Sequence, residues 1–310
     1  MVQPLVSIIV SSYNGEKYLP MVLESIANQV YKNIEVILIN DASKDNTLKI
    51  YKDFSRNFKN VFIINNKKNK ERCESRNIGI RASKGKYIAI VDDDDILLPE
   101  RISKTVKFLE ENPDFYLISS RASMSDIEGK KLGLSYGGRN LVTLRPKILL
   151  NKNVVVHSSI TFRNTKEYWY RHEMSSAEDY DLYLQILSDS KKIGILPDIL
   201  VEYLSWSSDS SEYRYKQIML ADIARTFYNQ RVRRGSDDYK DFKQGKIEEF
   251  LSKKAKLQLE IERTYWNRKY LKTIKLETKM FFMYGLSKKN IFYLGDSLVR
   301  GLLRKRILQN

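Results

Sequence analysis

Four aspartates in a row, Asp92 to Asp95, close the apolar run Tyr87-Ile-Ala-Ile-Val91. Carboxylates so placed suit two kinds of chemistry. Hard divalent cations take carboxylate oxygens and are commonly shared with a substrate's phosphates, which makes the run a candidate Mg²⁺ or Mn²⁺ site. The other reading has Asp94 or Asp95 capping a helix that starts near Pro99, with the remaining acids in water. On this run alone the two weigh equally. Adjacent like charges repel, so solvent, a helix start or a cation must compensate them. A calcium loop of the EF-hand type is excluded, because Leu97 stands where its turn needs glycine.

Other residues of the right type follow apolar runs elsewhere. Tyr13 comes after Leu5–Val10, Asp41 after Glu35–Asn40, and Glu178 and Asp179 open the helical pattern Ala177–Leu187. Each has a bland alternative: a surface aromatic, a turn cap, and helix-start acids that complement the helix dipole. His157, within Val154–Phe162, is either a packed core histidine or a polar group in a cleft.

The elements that position these residues read as an α/β pattern. Short apolar runs at Leu5–Val10, Glu35–Asn40, Val61–Ile64 and Tyr87–Val91 are strands by length and β-branched content. Helical spacing lies between them: Leu19, Val22, Leu23 and Ile26, with Pro20 at the helix start; Leu48, Tyr51 and Phe54; and the segment Glu74–Ser83. Such alternation means right-handed crossovers, a mostly parallel sheet flanked by helices, and ligands beyond the carboxyl ends of the strands. Tyr13, Asp41 and Asp92 to Asp95 then share one sheet edge. A stacking ring, an acceptor for a base and acids for a metal are what a nucleotide diphosphate requires. No G-x-G-x-x-G or G-x-x-x-x-G-K-[ST] is present, so dinucleotide and P-loop sites lack support.

Further along, Ile102, Val106 and Leu109 predict a helix ending at Asn112-Pro113, followed by a strand at Tyr116–Ser120 and a hairpin turn at Asp126–Gly129. Val154–Phe162 and Gly194–Tyr203 are expected strands, and Ser205–Ser211 is a polar loop. Beyond it the pattern becomes helical and basic. We therefore expect a catalytic domain at 1–210 and a helical extension at 211–310. The extension carries 24 Lys and Arg against 11 Asp and Glu, or +13 of the chain's +16. Phe292–Ile307 sets Leu298, Leu302 and Leu303 among Arg300, Arg304, Lys305 and Arg306, an amphipathic basic helix suited to an interface.

With 310 residues and 42% hydrophobic content the chain can bury a substantial core. No apolar run approaches the length of a membrane span, and Met1–Val10 lacks a signal peptide's basic flank, which makes the cytoplasm the expected compartment. The single cysteine, Cys73, excludes an internal disulfide, and with only two histidines a zinc site lacks ligands.

Taken together, six ordered motifs resemble the family 2 glycosyltransferases, inverting enzymes of GT-A (Rossmann-like) fold. They are Val6-Ser-Ile-Ile-Val-Ser-Ser-Tyr-Asn14, Asn40-Asp-Ala-Ser-Lys-Asp45, Ser75-Arg-Asn-Ile-Gly79, Val91-Asp-Asp-Asp-Asp95, His157-Ser-Ser159 and Glu178-Asp-Tyr-Asp-Leu182. The resemblance covers roughly 5–206. It implies a nucleotide-sugar donor, most simply UDP-linked, with Tyr13, Asn14, Glu16 and Asp41 around the nucleotide and Arg76 facing ribose and diphosphate. Asp92-x-Asp94 matches the family's D-x-D, with Asp94 as direct ligand of Mn²⁺ or Mg²⁺ and Asp92 and Asp93 nearer the ribose or metal-bound water. Asp179 matches the general base, while Glu178, His157 and Trp206 are acceptor-side candidates. The implied acceptor is a saccharide, lipid-linked at the inner membrane face, and the implied setting is cell-surface glycan synthesis. The basic helices are then expected on an anionic membrane or a second copy of the chain, not on nucleic acid. Two positions depart from the family: Tyr203-Leu-Ser-Trp206 lacks its arginine and histidine, and Gln185 replaces an arginine. A sugar-phosphate nucleotidyltransferase is the competing enzyme reading, and a non-catalytic membrane- or nucleic-acid-binding scaffold the competing non-enzyme one.

Overall fold

The computed structural model describes residues 3–126, 128, 130–138, 140–204, 211–244, 257, 260–261, 264 and 270–284. The chain divides into two units, Met1–Asp209 and Ser210–Asn310.

In the first unit the apolar runs become β1 (Val6–Ser12), β2 (Ile34–Asn40), β3 (Val61–Asn65) and β4 (Tyr87–Val91). The helices α1 (Leu19–Ala27), α2 (Thr47–Asn57) and α3 (Glu71–Ala82) connect them. β2 and β4 are buried along their whole length, as continuous apolar strands between helical layers must be. These four strands pair in parallel in the order β3-β2-β1-β4, so their carboxyl ends share one edge. Gly79 lets α3 approach that sheet: a Cβ there would lie 2.5 Å from Ile9 Cγ2.

The chain then adds β5 (Ile96–Leu97), α4 (Arg101–Glu111), β6 (Phe115–Ser125), β7 (Lys131–Leu134), β8 (Val142–Thr143) and α5 (Pro146–Asn151). β9 (Thr161–Arg163), α6 (Glu178–Ser188) and β10 (Lys192–Leu204) complete the unit. The sheet continues β4-β9-β6-β10-β5, with β7 on β6 and β8 on β10. β9 runs antiparallel to both its neighbours, while β6 and β10 are parallel to each other, so the second half is mixed.

Two sequence expectations change. Val154–Phe162 is not one strand: His157–Ser159 forms a 3-10 turn, and only Thr161–Arg163 pairs. The cause lies in the serines, whose hydroxyls compete with a strand ladder. Ser159 Oγ donates to Val156 O (2.8 Å) and accepts from Ser120 N (3.0 Å), which bends the chain at that point. The second change is at α4, which begins after Glu100 with no side-chain cap, so neither Asp94 nor Asp95 caps it.

The second unit contains α7 (Ser211–Arg234), α8 (Tyr239–Gln244) and α9 (Tyr270–Tyr284). Phe227 packs edge-on against Tyr239 and Phe242. No helix among the described residues is long and apolar enough to cross a membrane. The expected basic helix Phe292–Ile307 lies outside the described residues.

Candidate active site

Three strand ends supply the first part of the site. β1 runs into Tyr13, β2 into Asp41 and β4 into Asp92, and Asp41 N donates to Ser12 O at 2.9 Å across the first two. Side chains clasp the loops after β1 and β2 together. Asn14 N donates to Ser43 Oγ (3.0 Å), and Asn14 Oδ1 accepts from Lys44 N (2.9 Å). Glu16 Oε2 takes both Asn46 N and Asn46 Nδ2, at 2.9 and 2.8 Å. Asn14 and Glu16 thus shape the loops through these bonds. Tyr13 stays 48% exposed, an open ring face, whereas Asp41 is buried and its Oδ1 accepts from Asn66 Nδ2 and Lys70 N, both at 2.8 Å.

The four aspartates divide their partners. Asp92 Oδ1 pairs with Arg76 Nη2 at 2.7 Å; burial opposes its charge, but the guanidinium holds the carboxyl below the usual range. Asp93 accepts from Ser12 Oγ, yet burial, with the neighbouring charges of Asp94 and Asp92, pushes it up to about 6. Asp95 is fully buried and accepts from Ser158 Oγ and from Leu204 N (2.9 Å), so the fourth acid ties the end of β10 to the end of β4. Asp94 is half-buried.

Arg76 does not face an open cleft. It is 6% exposed and lies between two carboxylates, Asp92 and Glu178, the latter at 3.0 Å, with Tyr170 against its guanidinium. Its charge is therefore already matched within the protein. This pairing also settles the geometry of Glu178, which is buried, accepts from Ser176 N (2.8 Å) and is held ionised by Arg76 against the cost of burial. Asp179, next along the first turn of α6, differs. Its oxygens accept from Asn153 Nδ2 and Tyr180 N, both at 2.7 Å, and burial followed by the charge of Glu178 raises it to about 6. A carboxylate so tuned is a stronger base than ordinary aspartate and still mostly ionised at neutral pH.

His157 is the packed histidine and not a cleft group. Nδ1 meets Tyr183 OH at 2.6 Å and Nε2 meets Tyr170 OH at 3.1 Å, so both ring nitrogens are engaged. Burial, then the nearby Arg76, lowers its pKa to about 3, which keeps the ring neutral. Gln185, in place of the family's arginine, donates to Asp181 Oδ2 at 2.8 Å, and Arg171 approaches the same carboxylate at 3.7 Å. Trp206 lies outside the described residues.

The resemblance assigns no role to three charged residues of this region. Arg101 is wholly buried and donates through Nη2 to Ile90 O (2.8 Å) and Ile160 O (3.0 Å), placing a cation behind the acidic strand end. Asp95 was legible only as one of four. Arg72, one turn before Arg76 on α3, has a side chain 56% exposed and reaches Glu178 at 3.8 Å. Its spacing of four from Arg76 on a helix was the available clue.

The donor set fits a hard divalent cation in one respect. Asp92, Asp93 and Asp94 bring carboxylate oxygens to one strand end, and Asp93 is raised to about 6 by burial first and then by the charges of Asp94 and Asp92. Among the described residues no three His, Cys, Asp or Glu side chains converge as a closed metal cage. A cation here would complete its shell with substrate and water oxygens.

The comparisons with known proteins agree with this architecture. The model of Glycosyl transferase family 2 matches residues 7–179. An uncharacterized glycosyltransferase of Methanocaldococcus jannaschii, MJ1057, is 30% identical over 221 residues, spanning 70% of this chain and 76% of its own. Another, from Haemophilus influenzae, is 32% identical over 231 residues, spanning 69% and 70%. The crystal structure of S. aureus TarS 1-349 in complex with UDP superposes with a TM-score of 0.59 at 19% identity, covering 91% of this chain and 92% of that one. The same TarS fragment in complex with UDP-GlcNAc gives 0.58 at 18% identity, covering 95% and 87%. At such identity the likeness is one of fold, and that fold is GT-A. On the extent of the family match and of the sequence relatives, the chain belongs to glycosyl transferase family 2 and is a glycosyltransferase.

Proposed function

We propose that the enzyme transfers a sugar from a UDP-linked donor to a saccharide hydroxyl with inversion, and that the acceptor is lipid-linked in cell-surface glycan assembly. The carrying observation is Asp179: a carboxyl raised to about 6, whose neighbour Glu178 is joined through Arg76 to Asp92 at the acidic strand end. A base and a diphosphate-binding edge are thereby held in one hydrogen-bonded unit. The S. aureus TarS structures with UDP and UDP-GlcNAc support this choice of donor.

In this reading the uracil stacks on Tyr13 and its N–H meets Asp41 Oδ2. Asp94, with Asp92 beside it, would hold Mn²⁺ or Mg²⁺, which supplies charge neutralisation at the diphosphate when bound. Arg72 adds a protein cation there, since Arg76 is matched by its two carboxylates. Asp179 accepts the proton of the acceptor hydroxyl as its oxygen bonds to the anomeric carbon. The carbon–oxygen bond to the diphosphate breaks on the opposite side, and UDP leaves. No covalent enzyme intermediate forms. The protein works at the cytoplasmic face of an anionic membrane, with the basic region 211–310 contributing to attachment or to self-association.

Mass spectrometry of reactions with a panel of nucleotide sugars, with Mn²⁺, Mg²⁺ or EDTA, tests the donor and metal together. A UDP-sugar should be hydrolysed or transferred with metal and spared with EDTA. Condensation of UTP with a sugar 1-phosphate would favour the nucleotidyltransferase reading instead, and turnover of no donor would favour a scaffold.

A further inference from the structure

Asn153 lies outside all six sequence motifs, yet it meets the Asp179 carboxylate directly. Among the described residues no ion pair reaches that carboxylate, whereas Glu178 beside it meets Arg76 at 3.0 Å and Arg72 at 3.8 Å. Asp179 takes two neutral donors instead: Tyr180 N on Oδ1 and Asn153 Nδ2 on Oδ2, both at 2.7 Å. The first belongs to the helix start itself. The second crosses from the segment after α5, 26 positions away in the chain.

The bonds of Asn153 leave its amide one orientation. Oδ1 accepts from Val155 N at 3.2 Å, so Nδ2 is the atom that faces Asp179. Turned over, the amide would set an oxygen against a carboxylate oxygen and its own N–H groups against another N–H. The backbone that delivers Asn153 is anchored to α6 on both sides: Tyr180 OH donates to Leu149 O of α5 at 2.8 Å, and His157 Nδ1 meets Tyr183 OH at 2.6 Å. Asp179 and Tyr183, four apart, share one face of α6, and the residues that bond them, Asn153 and His157, are four apart in the segment lying against it. Asp179 is half-buried while Glu178 is buried, so the base keeps some surface open to a substrate.

We propose that Asn153 is a positioning residue of the transfer reaction: its amide fixes the Asp179 carboxylate in one orientation and favours its proton-accepting form. The inference rests on Asp179 being the base, as proposed above. A hydrogen bond donated to the anion opposes the burial and the Glu178 charge that raise this group to about 6. Around Asp179 stand the charges of Glu178 and Arg76 and the hydroxyls of Tyr170, Tyr183 and Tyr203. Burial pushes all three tyrosines up and Arg76 holds Glu178 ionised, so Asp179 is the member of this group that titrates near neutrality.

The test titrates Asp179 directly. Full-length protein labelled with ¹³C at the aspartate side-chain carboxyls is followed by NMR, the Asp179 signal being the one lost when Asp179→Asn is introduced into each background. Two variants separate the bonds of Asn153. Asn153→Asp keeps the shape and the acceptor for Val155 N but loses the donor to Asp179; Asn153→Leu loses both and adds no charge. In both, Asp179 should titrate roughly 1–2 pH units above the parent, the scale of one hydrogen bond to a charged group. The acid limb of hydrolysis of the UDP-sugar turned over in the panel, with water in the acceptor's place, should move up with it. Melting temperatures accompany each protein. An Asp179 titration unmoved in Asn153→Asp overturns the proposal, and a lowered melting temperature in Asn153→Leu alone then assigns Asn153 to the turn at Val155. If Asp179→Asn hydrolyses the donor at the parent's rate, the base reading fails and the proposal with it. If Asp179→Asn is slow but the acid limb of both Asn153 variants stays at the parent's pH, the positioning role alone fails.

Discussion

From β3 to β4 the sheet is parallel, and the loops at its working edge are closed by contacts between neighbouring connections, such as Glu16 with Asn46. From β9 to β5 the strands run both ways, β10 shifts register against β6 three times, and buried hydroxyls of Ser119, Ser120, Ser158 and Ser159 replace part of the apolar packing. The first half is built from repeated β-α units that each fold on local pattern. The second is built around polar contacts whose partners are far apart in the chain. Three acids and one arginine join them: Arg76 spans Asp92 and Glu178, and Asp95 holds Ser158 and Leu204. The half that carries Tyr13, Asp41 and the aspartates is thus a repeated β-α scaffold, and the few bonds crossing to the other half complete the candidate site.

The largest expected effect is at Asp179, on the second half. Asp179→Asn should lower turnover roughly 10²–10⁴-fold, with UDP affinity and melting temperature near those of the parent. Near-normal transfer would remove Asp179 from the mechanism and make Glu178 the next base to test. The parent's transfer rate should itself decline as pH falls through about 6, where the Asp179 carboxyl takes up its proton.

Arg76→Met tests the bond between halves. Removing the cation leaves Asp92 and Glu178 buried without a partner, a change that costs about 3–5 kcal/mol in comparable buried pairs. Urea denaturation reads it directly. A loss below about 1 kcal/mol would mean that the halves are held mainly by packing, since that is the scale of an exposed pair.

Asp94→Asn addresses the first half alone. Calorimetry with UDP and Mn²⁺ should show at least the roughly 10–100-fold weakening that even outer-sphere metal partners produce. Equal UDP affinity with and without metal in both proteins would dispose of the metal site.

The smallest effect concerns His157 in the second half. Its folded pKa near 3 lies below the ordinary 6.5, so between these values the unfolded chain binds a proton that the native ring refuses. The stability it allows is complete above pH 6.5 and is lost as pH falls toward 3, by about 2 kcal/mol at pH 5. Arg76, Arg72, Asp92 and Glu178 are the charges around it. His157→Gln should therefore flatten the acid limb of the stability profile, and an unchanged slope between pH 5 and 7.5 would contradict a neutral buried imidazole. Comparing the two proteins at each pH cancels Asp179, whose raised pKa acts in the opposite direction.

The order of the first four strands and the helices between them, the shared edge of Tyr13, Asp41 and the aspartates, and the family itself were determined by the sequence alone. The reason is physical: period-2 and period-3.6 apolar spacing is a local property, and in a parallel β-α sheet the residue after a strand must fall on the ligand edge. What each polar residue does there was decided only by the tertiary structure. Arg76 is matched by Glu178, 102 positions away; Asp95 finds Leu204 across 109 positions; and Ser158 and Ser159 break the strand expected at Val154–Phe162 by bonding Asp95 and Ser120. Glu178 and Asp179 are neighbours of nearly identical chemistry, and only the tertiary structure, with Arg76 beside one and Asn153 beside the other, makes the first a fixed anion and leaves the second raised to about 6. A carboxyl's charge is set by burial and by its nearest partners, and neither exists until the chain has folded.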